Sequence, residues 1–286
     1  MRLRPQLRSA DERASSTGNL LISKAPAPID DDTDRAQDAA YRFDTIRLAD
    51  AVDRCVSGWW DMPDFQRGFV WKPYQSAMLA DSLWRNYPTG FVLLWTAPGA
   101  AAESLRSWIA DGQQRLTSLC LLFGKRPRWW GRRPEPEWGR VTARYDIRFD
   151  VEGGGFSRFL AEHQAMDETR FIPVPRILAN DSHTGQGRLQ LQTLAARAKS
   201  AGHAEYVTEE EVFARLIRVA GLRDKALLIN SVSHEFRDVI EIFDRLNSRG
   251  IRFRWLVMRI MREAFSAALG DARDRAIRDF RSRKPE

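Results

Sequence analysis

At Gly112 the hydrophobic pattern of this 286-residue chain changes period. Before it, Ser107-Trp108-Ile109-Ala110-Asp111 is a compact run of strand length. After it, Leu116, Leu119, Cys120 and Phe123 fall on one helix face, and Gly124 stands where a helix cap belongs. All of the polarity, Asp111-Gly112-Gln113-Gln114-Arg115, sits at the joint. A strand that runs straight into a helix turns free backbone N–H groups and the positive end of the helix toward one place. Gly112 lets a ligand approach the backbone closely. Arg115 offers a two-toothed grip on phosphate. Asp111 suits Mg²⁺ or the orientation of a water, and Gln113 and Gln114 can hydrogen-bond a nucleotide or water without adding charge. The same residues also suit a plain capped helix, with Asp111 as N-cap and both glutamines on a solvated first turn.

Two further polar knots share this design. Pro63-Asp64-Phe65-Gln66-Arg67-Gly68-Phe69-Val70-Trp71 presents Gln66 and Arg67 between aromatic anchors, in a segment opened by proline. Phe243-Asp244-Arg245-Leu246-Asn247-Ser248-Arg249-Gly250 places Asn247 and Arg249 at the end of a helical stripe. Either one also reads as an ordinary surface loop or helix end. If the three knots form one site, Gln66, Arg67 and Asn247 converge on the Asp111–Arg115 joint and line the main polar pocket with it.

Elsewhere the pattern predicts an α+β fold. Residues 1–40 are rich in Ser, Ala, Pro and Asp and read as a flexible leader. Periodicity predicts a short helix over 44–56, a strand at Trp59–Met62, a helix from Pro73 to about Tyr87 and a strand at Phe91–Trp95. Further on it predicts a half-exposed strand at Tyr145–Phe149, helices over 187–200 and 208–220, a strand over 226–232 and a helix from Phe236 to Leu246.

Charge is uneven. Lys and Arg number 45 against 38 Asp and Glu, a net of +7, and residues 245–286 alone hold 12 basic against 5 acidic residues. That segment is expected to be poorly anchored and to bind DNA in a salt-sensitive way. A second basic cluster, 125–144, is interleaved with Trp129, Trp130 and Trp138. It reads either as a nucleic-acid surface, with indoles stacking on bases, or as a solvated loop whose tryptophans fold back onto the core.

Several classes are excluded. Two cysteines, Cys55 and Cys120, cannot make a disulfide scaffold or a multi-cysteine zinc site. The longest uncharged stretch, 86–102, is broken by Pro88 and Pro98 and is too short to span a bilayer. No secretory signal is visible, so a reducing, cytoplasmic setting is expected. The four histidines have no paired metal-ligand spacing, and no P-loop, Gly-x-Ser-x-Gly or His-Asn-His signature occurs.

In order, the knots match a known pattern. The chain resembles the N-terminal domain of GmrSD-type, modification-dependent restriction enzymes, over roughly residues 42–255. The matching pieces are Pro63–Arg67 with Val70-Trp71, Asp81-Ser82-Leu83 through Tyr87-Pro88-Thr89-Gly90, Trp108–Thr117 containing Asp-Gly-Gln-Gln-Arg, and Phe243–Gly250. The resemblance implies a ParB/sulfiredoxin-like α+β nucleotide-binding domain over 41–250. It also implies nucleoside-triphosphate hydrolysis with Mg²⁺, coupled to DNA restriction in phage defence. It gives Asp111, Gln114 and Arg115 catalytic roles, with Asp111 also a metal ligand. It makes Gln66, Arg67, Gly112, Gln113, Asn247 and Arg249 nucleotide-binding residues. Family members usually continue into a helical region and often a His-containing nuclease domain, whereas 251–286 reads as a basic, cut-short helical segment. The chain alone is therefore expected not to cut DNA; either it is truncated or frameshifted, or it acts with a separate nuclease subunit. The rival readings are a non-catalytic DNA-binding module, with the same arginines on DNA phosphates, and a truncated, inactive remnant.

Overall fold

The computed structural model describes residues 41–63, 66, 68–98, 106–132, 136–157, 167–202 and 206–247. Its elements are β1 (Tyr41–Arg47), α1 (Leu48–Ser57), β2 (Trp60–Asp61), α2 (Pro73–Trp84), β3 (Phe91–Trp95), β4 (Ser107–Asp111) and α3 (Gln113–Leu122). They continue with α4 (Trp138–Arg144), β5 (Arg148–Asp150), β6 (Gly155–Ser157), β7 (Phe171–Pro173), α5 (Val174–Leu178), α6 (Gly185–Ser200), α7 (Glu209–Ala220), β8 (Ala226–Val232) and α8 (Phe236–Asn247). The fold is α+β, as the sequence pattern predicts.

The main sheet is mixed, in the order β1-β8-β3-β4-β2. β1 runs antiparallel to β8 and β3 antiparallel to β4, whereas β3 is parallel to β8 and β2 to β4. Strand alternation sends Val92, Leu94, Ile109, Leu227 and Ile229 into the principal core, against α1, α2 and α3. The opposite face presents Leu93, Trp95 and Val232, which α8 covers with Val239 and Ile242. A smaller antiparallel sheet, β6-β5-β7, packs on α2, where Phe149 and Phe156 meet Trp84 with ring centroids 5.3 and 6.1 Å away. Arg218 of α7 lies over the same indole, 4.0 Å from its centroid.

α3 is the hub. It packs on α1, α2 and α5, and it is buried nearly all round. The sequence predicts an apolar stripe on one face, and the capped-helix reading puts the glutamines on a solvated first turn. In the structure the polar side is enclosed too, because small groups such as Thr117 and Ser118 allow close packing. Ser118 bonds Ser76 of α2 at 2.8 Å.

Two elements differ from the sequence expectation. The helix expected from residue 44 begins at Leu48, because Tyr41–Arg47 is an edge strand paired residue for residue with β8. Almost all of β1 is exposed, so it carries no two-residue burial signal. The strand expected at Tyr145–Phe149 is shorter. Ile147 and Phe149 are both buried, so the alternation is real, but ladder pairing starts only at Arg148.

Among the described residues no helix is long and apolar enough to cross a membrane. The leader, the 251–286 segment, Arg67 and Arg249 lie outside the described residues.

Candidate functional site

β4 reaches α3 through a single residue. Gly112 has φ +92° and is the N-cap of α3, so no side chain caps that N-terminus. A Cβ at Gly112 would stand 3.0 Å from Val92 Cγ2 and 3.2 Å from its Cα. The position therefore needs glycine twice over, for its left-handed backbone and for the closeness of β3. The expected strand-to-helix joint is thus present. Its cap is the glycine, and Asp111 is the last residue of β4.

The first polar knot folds onto this joint. The Gln66 amide donates to the Ile109 carbonyl at 2.5 Å and to that of Ala110 at 3.3 Å. In return, Gln114 grips the loop after Gln66. Its Oε1 accepts from Val70 N at 2.8 Å and Trp71 N at 3.1 Å, and its Nε2 donates to Gly68 O at 3.1 Å. Both ends of that amide are engaged with backbone, so Gln114 braces the site. Gln113 is buried beside it.

The Trp-rich basic cluster buttresses the same loop. Trp129 and Trp130 are buried, so the fold-back reading holds and neither indole is available to stack on a base. Phe69 packs between Trp130 and Tyr145, with centroids 6.4 and 5.2 Å away, and the Tyr145 hydroxyl donates to the Trp71 carbonyl.

Arg115 is placed differently. It points to the Pro88-Thr89-Gly90 turn, where a Cβ on Gly90 would be 2.8 Å from Nη2. Nη1 donates to the Phe91 carbonyl at 2.6 Å, while the buried Nε has no partner. Burial pushes the guanidinium below its usual range, and the nearby Asp111 carboxylate opposes that shift. The result is a half-buried cation with unused donors, no ion pair among the described residues, and one carboxylate acting only through space. Gly90 and the Phe91 carbonyl are the site components that the three knots do not announce. The Pro-Thr-Gly turn before an apolar strand is the signal that could have found them.

Asn247 ends α8, which leaves β8 at Val232 and packs back over Leu93 through Val239. Arg67 and Arg249 lie outside the described residues, as does the Asn247 side chain. One cleft, of about 940 Å³, opens at the opposite end of the sheet, and none of Asp111–Arg115 lines it.

For a metal, Asp111 is the carboxylate at the joint, and among the described residues no group of three or more His, Cys, Asp or Glu is close enough to form a protein-only metal site. That donor set suits Mg²⁺, which characteristically takes one or two carboxylates and completes its shell with phosphates and water.

The family model of the GmrSD restriction endonuclease N-terminal domain matches residues 48–254, from the start of α1 past the end of α8. No curated relative matches the chain significantly. The matched span contains all three polar knots, and the chain belongs to the GmrSD restriction endonuclease N-terminal domain family.

Proposed function

We propose that this chain is the nucleotide-dependent component of a DNA-restriction system, binding a nucleoside triphosphate at the Asp111–Arg115 joint and hydrolysing it there. Family membership supports the restriction setting and contact with DNA. The observation that carries the nucleotide reading is Arg115, a half-buried guanidinium whose Nε is buried without a partner and which, among the described residues, bonds only a carbonyl. A buried cation that is not fully hydrogen-bonded is costly, and an anionic ligand at this spot relieves the cost.

The remaining residues divide the work. The uncapped N-terminus of α3 offers backbone N–H groups and a positive helix end for phosphate oxygens. Gly112 keeps that end clear of a side chain. Gln66 and Gln114 lock the 66–71 loop against β4, which fixes the wall of the site before a ligand arrives. Asp111 would hold Mg²⁺, which neutralises charge on the phosphate oxygens when bound. Hydrolysis at such a site is mostly positioning and charge stabilisation, in which Arg115 and the α3 N–H groups follow the charge as it develops.

The test is Mg²⁺-dependent phosphate release by the purified full chain, with Arg115→Ala and Arg115→Lys alongside. Wild-type turnover with a loss of roughly 10²-fold or more in Arg115→Ala supports the reading. Arg115→Lys should recover only part of the activity, because a point charge does not replace a planar fork of donors. Equal turnover in wild type and Arg115→Ala overturns it, as does a wild-type chain that neither binds nor hydrolyses any of the four ribonucleoside triphosphates.

A further inference from the structure

The cleft at the far end of the sheet is cut into the core-facing side of β1 and β8. Deep in that face, Ile46 pairs with Leu227 under the helices. Two and four residues along the strand, the same face carries Asp44 opposite Ile229 and Arg42 opposite Ser231. Polar groups replace apolar ones where the sheet should close on α1, and the space stays open at about 940 Å³. That is within the range of small-ligand sites, roughly 300–1,000 Å³.

α1 supplies the facing wall. Asp50, Asp53, Arg54 and Ser57 are spaced on one helix face and line the cleft. Two of its carboxylates are already matched, Asp50 by Arg47 at 2.9 Å and Asp53 by Lys125 at 2.6 Å. Arg42 and Arg54 have no ion pair among the described residues, and Asp44 accepts from the Thr45 backbone at 2.6 Å. The unmatched charge is therefore two guanidiniums against one carboxylate. At the rim stands Trp59, 53% exposed, although its backbone is pinned by Ser107 N donating to its carbonyl at 2.9 Å. An exposed indole carried on a backbone that the sheet pins offers a stacking platform.

We infer that this cleft binds a nucleotide with an unstacked base, the base lying on Trp59, the phosphate meeting Arg42 and Arg54, and Asp44 with the hydroxyls of Thr96 and Ser231 facing the base edge. It is separate from the Asp111–Arg115 joint. Ser107 and Asp111 are opposite ends of β4, roughly 13 Å apart at about 3.3 Å per residue. The same chemistry is offered by a free mononucleotide and by an unpaired nucleotide in a DNA strand. The choice of DNA rests on the restriction reading, while the cleft chemistry does not.

The experiment titrates the full chain, at moderate salt, with a labelled oligo-dT strand, its duplex with oligo-dA, and the mononucleotides dAMP and dTMP. Trp59→Ala and Arg42→Ala are compared with Trp59→Phe. The expected result is strand binding that weakens roughly tenfold to a hundredfold in Trp59→Ala, and is largely kept in Trp59→Phe. Melting temperature should be unchanged, because both side chains are outside the core. Mononucleotide binding that responds to the same variants assigns the site to free nucleotides. Strand binding without it assigns the site to DNA. Either supports the cleft. Binding of every probe that is unchanged in Trp59→Ala and Arg42→Ala, or absent from the wild type, overturns it. Phosphate release is measured on the same samples. It should be insensitive to Trp59→Ala, whereas Arg115→Ala should spare strand binding, so failure at one end of the sheet is distinguishable from failure at the other.

Discussion

Replacing Gln114 by methionine keeps the volume of the side chain and removes its three hydrogen bonds to the 68–71 loop. The Val70 and Trp71 N–H groups lose an acceptor and the Gly68 carbonyl loses a donor. Val70 is exposed, so water can serve its N–H. The other two groups are partly enclosed under α3, and each costs about 1–3 kcal/mol when left unpaired. Allowing for partial hydration, the expected loss is about 2–4 kcal/mol. For a fold of this size a kcal/mol moves the melting temperature by about 2–4 °C, so Gln114→Met should melt roughly 4–16 °C lower.

The assay is a thermal melt followed by circular dichroism, together with limited proteolysis near residues 64–72. Cleavage there should speed up well below the global melt, because the brace is local. The alternative is that aromatic packing alone holds the loop through Phe69, which lies on Trp130 and Tyr145. A double-mutant cycle with Phe69→Ala separates the two. Gln114→Met with an unchanged melt and unchanged cleavage, while Phe69→Ala frees the loop, would refute the bracing role.

Gly112→Ala should destabilise by about 2–4 kcal/mol, combining a left-handed backbone with a Cβ 3.0–3.2 Å from Val92, and a melt unchanged within error would count against it. Arg132→Ala strips the buried Asp61 carboxylate of its ion pair but leaves the Met62 N–H donating to it at 2.8 Å, so a loss of about 1–3 kcal/mol is expected in urea unfolding. Burial, with a contact to Cys120, pushes the Cys55 thiol well above its usual range, so iodoacetamide at pH 8 should leave both cysteines unmodified in native protein by mass spectrometry and label them after denaturation. The folded form keeps a proton that the unfolded form loses. Stability from this source is therefore complete below the unfolded thiol's value of about 8.5 and is lost as pH rises from there toward the folded value.

Elements with a strong period were legible in the sequence. β3 and β4 stand at the predicted residues, because each is a short apolar run bounded by turn residues. α8 was visible from its stripe, and α2 from Pro73 at its first turn. β1 was not, since an edge strand beside an open cleft has no buried face to alternate. The three-stranded sheet was also hidden. Its strands are three residues each, and their pairing depends on contacts between distant segments. Trp129 and Trp130 show the limit most clearly. A basic, Trp-rich segment has one composition whether its indoles face solvent or core, and packing decides the matter: Trp129 joins the principal core, while Trp130 clusters with Phe69 and Tyr145.

The candidate site shows the same division within five residues. Residue type announced that Asp111–Arg115 could meet an anion, and the period change located it. Type did not say which polar group is already engaged by the protein. Gln114 and Arg115 are adjacent, and on paper either can hydrogen-bond a nucleotide. In the structure Gln114 donates and accepts wholly to the 68–71 backbone, whereas Arg115 keeps an unpartnered Nε beside a glycine turn. The difference comes from helix geometry. Consecutive positions on α3 point about 100° apart, so Gln114 meets the loop before α2 while Arg115 meets the turn after it. A ligand can draw only on donors the fold has left unpaired. On the proposed reading, the chemistry of this joint therefore centres on Arg115, and Gln114 contributes by keeping the neighbouring wall in place.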